Sequence, residues 1–146
     1  MPGAVRAARA ARAGVCCERV EDMGESWVFD DGTAPATVEA ALDLLRGRIA
    51  AGRLETWLAA SSGRSLGVVS NGERAMVLLL DPEGDPGGHA VDPLAAGRST
   101  GFVLTNGQHD EYPDTETVPL PEGLRIVGHV LATGVPPVDA DWSDDR

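Results

Sequence analysis

The side chains that could do chemistry in this chain are few. His89, His109 and His129 are its only histidines. Nucleophilic catalysis needs a Ser, Cys or Thr within reach of one of them and an acid to orient the ring. No Gly-x-Ser-x-Gly turn is present, and the two cysteines, Cys16 and Cys17, are adjacent near the N-terminus. A metal site needs His or carboxylate donors that converge. His109, Asp110 and Glu111 are consecutive, so on a strand they alternate between faces and cannot all reach one ion. His89 belongs to a separate loop. The glycine-rich stretches match neither G-x-x-x-x-G-K nor G-x-G-x-x-G, so they offer no phosphate cradle. The histidines therefore read as surface residues, and no catalytic activity, metal or cofactor is expected.

Carboxylates are the other candidates. The 146 residues hold 23 acids against 12 basic residues, all Arg, for a net charge of −11. Pairs of acids arise by chance at that composition, and only a pocket that separates their pKa values would make them an acid–base couple. A direct footprint on DNA or RNA needs clustered positive charge, and this chain has the reverse. An acidic surface suits solubility or docking onto a basic protein. The acids concentrate in two segments. Asp81, Glu83, Asp85 and Asp92 fall in one, and Asp110, Glu111, Asp114 and Glu116 in the other, beside Tyr112. If both segments lie at one end of a sheet, Asp81, Glu83, Asp85, Asp110, Glu111, Tyr112 and Asp114 would form one protein-binding surface. The plainer reading is that loops are acidic because the whole chain is.

Length allows one domain with a real core. No stretch approaches the 18 apolar residues of a membrane span. Adjacent cysteines staple nothing, so an oxidising compartment gains no support, and a cytoplasmic location is expected. The absence of Lys beside 18 Gly and 10 Pro fits the coding bias of a GC-rich genome such as an actinobacterium's.

Residues 1–22 read as a disordered basic leader. Its first 17 residues hold Arg6, Arg9 and Arg12 and no acid, which leaves the rest of the chain at −14. Alternatives are a transit-like peptide or an over-extended start, with Met23 as the true beginning. Residues 26–142 read as the folded domain and 143–146 as an acidic tail, anchored through Trp142.

Within the domain, Trp27 to Phe29 is a short strand. Thr37 caps a helix whose Val38, Leu42, Leu45 and Ile49 fall on one stripe, with Gly52 at its C-terminal end. Strands are expected over 54–59, 65–70 and 73–80. In the first, Leu54, Thr56 and Leu58 share one face and Glu55 and Trp57 the other; bulk argues for Trp57 as core. Asn71-Gly72 joins the next two as a hairpin, and the device recurs at Asn106-Gly107 between 101–105 and 108–112. Glu73 and Arg74, straddling the first turn, read as solvent-facing. Residues 81–93 form a turn-rich loop. A second helix carries Leu120, Leu124, Val127 and Leu131 and stops at Gly134. The fold class that follows is α+β: an antiparallel β-meander of about five strands with two amphipathic helices packed on one face.

The runs LGVVSNGERAMVLLLDPEGDPGGHAVDP (66–93) and GFVLTNGQHDEYPDTETVPL (101–120) resemble the Imm-type immunity proteins of actinobacterial polymorphic toxin systems, specifically the first-numbered family of that series. The resemblance extends over residues 26–142, through the helix–Gly–Pro-Pro ending and terminal Trp. NGERAMV and NGQxDEYP are its most specific pieces. It implies a small cytoplasmic protein that binds and blocks a cognate toxin C-terminal domain, often a nucleic-acid deaminase, with no catalytic residues of its own. Gly88 and His109 depart from the pattern, where Glu and a small or apolar residue are expected. Both departures fall on the expected binding side, which fits a change of partner. A protein-binding accessory or regulatory module of a secretion system is the alternative, and homo-oligomerisation is left open.

Overall fold

The computed structural model describes residues 23–82 and 87–145; the expectations for the leader, Glu83 and Asp85 therefore lie outside the described residues. The order of elements is β1 (Trp27–Phe29), α1 (Val38–Ala50), β2 (Glu55–Ala60), β3 (Ser65–Ser70), β4 (Arg74–Leu80), β5 (Gly88–Ala90), β6 (Arg98–Val103), β7 (His109–Pro113), a 3-10 turn (Asp114–Glu116), β8 (Val118–Pro119), α2 (Leu120–Thr133) and β9 (Trp142–Asp144). The fold is α+β. Seven strands form one antiparallel sheet in the order β1-β2-β3-β4-β5-β9, with β8 beside the first residues of β4.

Both helices start and stop where their sequence signals stand. Thr37 accepts from the N–H of Ala40 at 3.1 Å, satisfying one of the orphan donors of α1. Pro121 sits in the first turn of α2, where a missing N–H costs nothing, and Gly134 ends that helix in the left-handed region at φ 87°. The helices cover one sheet face. Leu42, Leu45, Ile126, Val127, Val130 and Leu131 pack there against Leu58, Leu66, Val68, Val77 and Leu79, with Trp27 and Phe29 closing the β1 edge.

Strand alternation sorts the rest. The pairs Thr56↔Val68 and Val68↔Val77 put those residues on the helix face, so Glu55, Trp57, Gly67, Val69 and Met76 face the other way. The second hairpin lies on that outer side. It does not extend the meander, as expected from sequence, but forms its own two-stranded sheet, β6-β7. Asn71 donates to the Thr100 carbonyl at 2.8 Å, and Glu55 receives the N–H of Thr105 at 2.9 Å. The hairpin therefore runs across the sheet end from β4 to β2. Phe102 and Val69 are fully buried there, outside the main core.

Other differences from the expectation are local. The second hairpin begins at Arg98 rather than Gly101, because Gly101, at φ 89°, sits within the register shift of a bulge inside the strand. The expected loop 81–93 contains β5. The acidic tail is partly strand: β9 pairs with β5, and Trp142 packs against Gly88.

Candidate functional site

The outer face is built around Glu55, Trp57, Asp110 and Tyr112. Glu55 and Trp57 are two residues apart on β2 and so share a face. The indole N–H donates to Glu55 Oε2 at 2.8 Å, while its benzo ring fills the space over Gly67. Trp57 is thus partly buried on the side away from the helices, not part of the main core. The hydroxyl and N–H of Thr105 both donate to Glu55 Oε1. These donors hold the Glu55 carboxyl below its ordinary range, the Thr105 N–H contributing most, against burial and the nearby Asp30 charge.

Asp110 is held in the same way. Tyr112 donates to Asp110 Oδ2 at 2.7 Å and Gln108 to Oδ1 at 2.6 Å, which lowers its pKa. Burial and then the Asp110 carboxylate push the Tyr112 hydroxyl up to about 12, with a further push from the Glu55 charge. The ring of Tyr112 meets Phe102 edge-on at 4.9 Å between centroids. Both carboxylates are thus fixed by neutral donors, and both act on the Tyr112 hydroxyl, Asp110 by direct contact and Glu55 through its charge. Among the described residues no arginine pairs with either.

The remaining acids are differently placed. Glu111 pairs with Arg98 at 2.6 Å. Asp114 accepts from Ser99 Oγ at 2.5 Å and lies 3.8 Å from Arg74. Asp81 is 3.9 Å from Arg64, whose other contact is the Gly134 carbonyl. Asp81 and Asp114 stand at opposite ends of β4, roughly 20 Å apart at the rise of an extended strand. Asp81 therefore does not share an end of the sheet with the second acidic segment, whereas Asp92 meets that segment through Arg74. The structure brings together Asp110, Glu111, Tyr112 and Asp114 on the hairpin side, and leaves Asp81 on the other.

Two residues central to this face were not singled out by sequence. Glu55 carried a signal, since an acid and a Trp alternate onto the strand face opposite Thr56 and Leu58. Arg74 carried none. Rather than facing solvent, it lies 18% exposed and donates to Thr117 Oγ1 at 2.7 Å, Asp92 Oδ2 at 2.7 Å, the Thr117 carbonyl at 2.9 Å and the Asp114 carbonyl at 3.1 Å. It ties the foot of the hairpin to β4. On the helix side, α1 and α2 are separated by open clefts of about 340 and 540 Å³ floored by Leu42 and Leu124. None of the described clefts is lined by His89 or His109. His109 is exposed, whereas His89 is largely buried between two carboxylates, contrary to its reading as a surface residue. Gly88 is buried under Trp142, where a side chain would meet the indole. No group of three His, Cys, Asp or Glu among the described residues could hold a metal ion, and no described helix is long and apolar enough to cross a membrane.

Compared with models of known protein families and with curated proteins, the chain finds no match in either.

Proposed function

We propose that this chain is an immunity-type protein that binds and occludes a cognate toxin domain, and that the occluded domain acts on nucleic acid, as a deaminase does. The observation that carries this reading is the outer face: Glu55 and Asp110 are fixed by neutral donors, and among the described residues no arginine pairs with either. Their charge is thus available to a partner and already oriented. A domain that grips DNA or RNA presents a basic concave face, and a preorganised acidic face can fill it without first ordering its own side chains. Long-range attraction speeds the encounter, while Tyr112 and Trp57 add aromatic contact area. Inhibition then needs only coverage of the substrate channel. The sequence resemblance and the net charge of −11 support the same partner.

The test is co-expression with the C-terminal domain of the toxin encoded beside this gene, in a sensitive bacterium. Rescue of growth with co-purification of a stable pair is the expected result. Continued killing with no complex would overturn the reading.

A further inference from the structure

The C-terminal strand is tied to the sheet by an arrangement that only a protonated imidazole can satisfy. β9 meets β5 over three register pairs, Gly88↔Asp144, His89↔Ser143 and Ala90↔Trp142. Beyond them, His89 Nδ1 lies 2.8 Å from Asp145 Oδ2, and His89 Nε2 lies 2.6 Å from Glu116 Oε1. An ionised carboxylate only accepts hydrogen bonds, and a neutral imidazole donates from one nitrogen alone. With both nitrogens against carboxylates, loss of the proton turns one contact into lone pair against lone pair. The imidazolium form donates to both.

We infer that His89 is a proton-operated clasp that joins β5 to the C-terminal end of β9 and to the 3-10 turn, and that losing its proton frees the C-terminal strand. The ring is 16% exposed, so water replaces the lost contacts poorly. The charged groups that face it among the described residues are Asp145 from the segment after β9 and Glu116 from the 3-10 turn. Its register neighbours Leu78 of β4 and Ser143 of β9 are uncharged, and Asp144, opposite Gly88, points to the other sheet face. Burial alone would lower the His89 pKa, but the two carboxylates outweigh it and the net direction is upward from 6.5. A raised folded-state value means the stabilisation is complete below the ordinary range and disappears as pH climbs through the raised value. The clasp is closed in acid and opens toward alkali. Opening lifts Trp142 from Gly88 and bares the edge of β5, a row of backbone groups able to pair with another strand.

The experiment is an NMR titration of the His89 ring together with amide exchange of Ser143 to Asp145, each rate normalised to a buried amide of α2 such as Val127 to remove base catalysis. In the wild type, His89 should titrate above 6.5, and relative β9 protection should fall over the same range. The fall should be up to about tenfold per pKa unit of elevation. His89→Gln should show low, pH-independent protection, and Glu116→Gln and Asp145→Asn should each lower the His89 pKa. Glu116 is 44% exposed, so its variant should fold even where His89→Gln fails. A His89 midpoint at or below 6.5, flat wild-type β9 protection, or an unmoved midpoint in both carboxylate variants would overturn the inference.

Discussion

Arg74 offers the sharpest test of how the outer face is held. Arg74→Met keeps the aliphatic stem and removes the guanidinium with its four hydrogen bonds. Asp92 and the Thr117 carbonyl are left without that donor; Thr117 itself is fully buried. Breaking a fully buried ion pair costs about 3–5 kcal/mol. Here the side chains of Arg74 and Asp92 are 18% and 29% exposed, so water recovers part of that loss and about 3 kcal/mol is the reasonable figure. For a chain of this size that lowers the melting temperature by roughly 6–12 °C. Arg74→Lys keeps the charge and one donor direction but loses the planar fork, and should recover about half. The exposed pair Arg98–Glu111 is the control. Arg98→Met should cost under about 1 kcal/mol, because both side chains are half in solvent. Urea titrations and thermal scans of the three variants would read these differences. An Arg74→Met protein within about 1 kcal/mol of wild type would refute the view that this guanidinium pins the hairpin foot to β4.

Two further expectations follow from the same face. Gly67→Ala would place a methyl 2.6 Å from the Trp57 ring, so the indole must lift; about 1–3 kcal/mol of stability should be lost, with a red-shifted Trp57 emission. Unchanged emission and stability would mean the ring does not rest on β3. Tyr112 is the only tyrosine, so its ionisation can be followed by ultraviolet absorbance without interference. Its midpoint should lie near 12 and move toward 10 in Asp110→Asn, and because the folded value is raised, the associated stability is lost as pH rises from 10 toward 12. A wild-type midpoint near 10 would contradict the Tyr112–Asp110 hydrogen bond.

Local signals in this sequence were reliable where they act locally. Thr37 and the Val38–Leu42–Leu45–Ile49 stripe place α1, and Leu120, Leu124, Val127 and Leu131 with Gly134 place α2. Asn71 closes the first hairpin by accepting from the N–H groups of Glu73 and Arg74 through its side chain, the turn chemistry its identity suggests. What sequence could not fix was which strands share a sheet. The Asn106-Gly107 turn specifies a hairpin equally well whether that hairpin extends the sheet or crosses its face. The crossing is decided by contacts over long sequence separations, from Glu55 to Thr105 and from Asn71 to Thr100. β5 and β9 were missed for a related reason: three-residue strands between glycines and acids carry no periodicity and form only through long-range pairing, β5 between β4 and β9, and β9 on β5. The acidic site was partly legible. Asp110 and Tyr112 were singled out from composition, but separating them from Asp81 and Glu111 depends on where each arginine ends up, and that is a tertiary outcome.

The most direct test of the central claim is the affinity of the toxin domain for three proteins: wild type, Glu55→Gln/Asp110→Asn, and Glu55→Arg/Asp110→Arg. The amide pair keeps the shape and removes the charge, but leaves one acceptor oxygen on each side chain where the carboxylate uses two. Binding should weaken on the order of tenfold or more in that variant, chiefly through slower association, and collapse in the reversed one while both retain wild-type circular dichroism. Equal affinity for all three folded proteins would contradict the assignment of this face as the inhibitory surface.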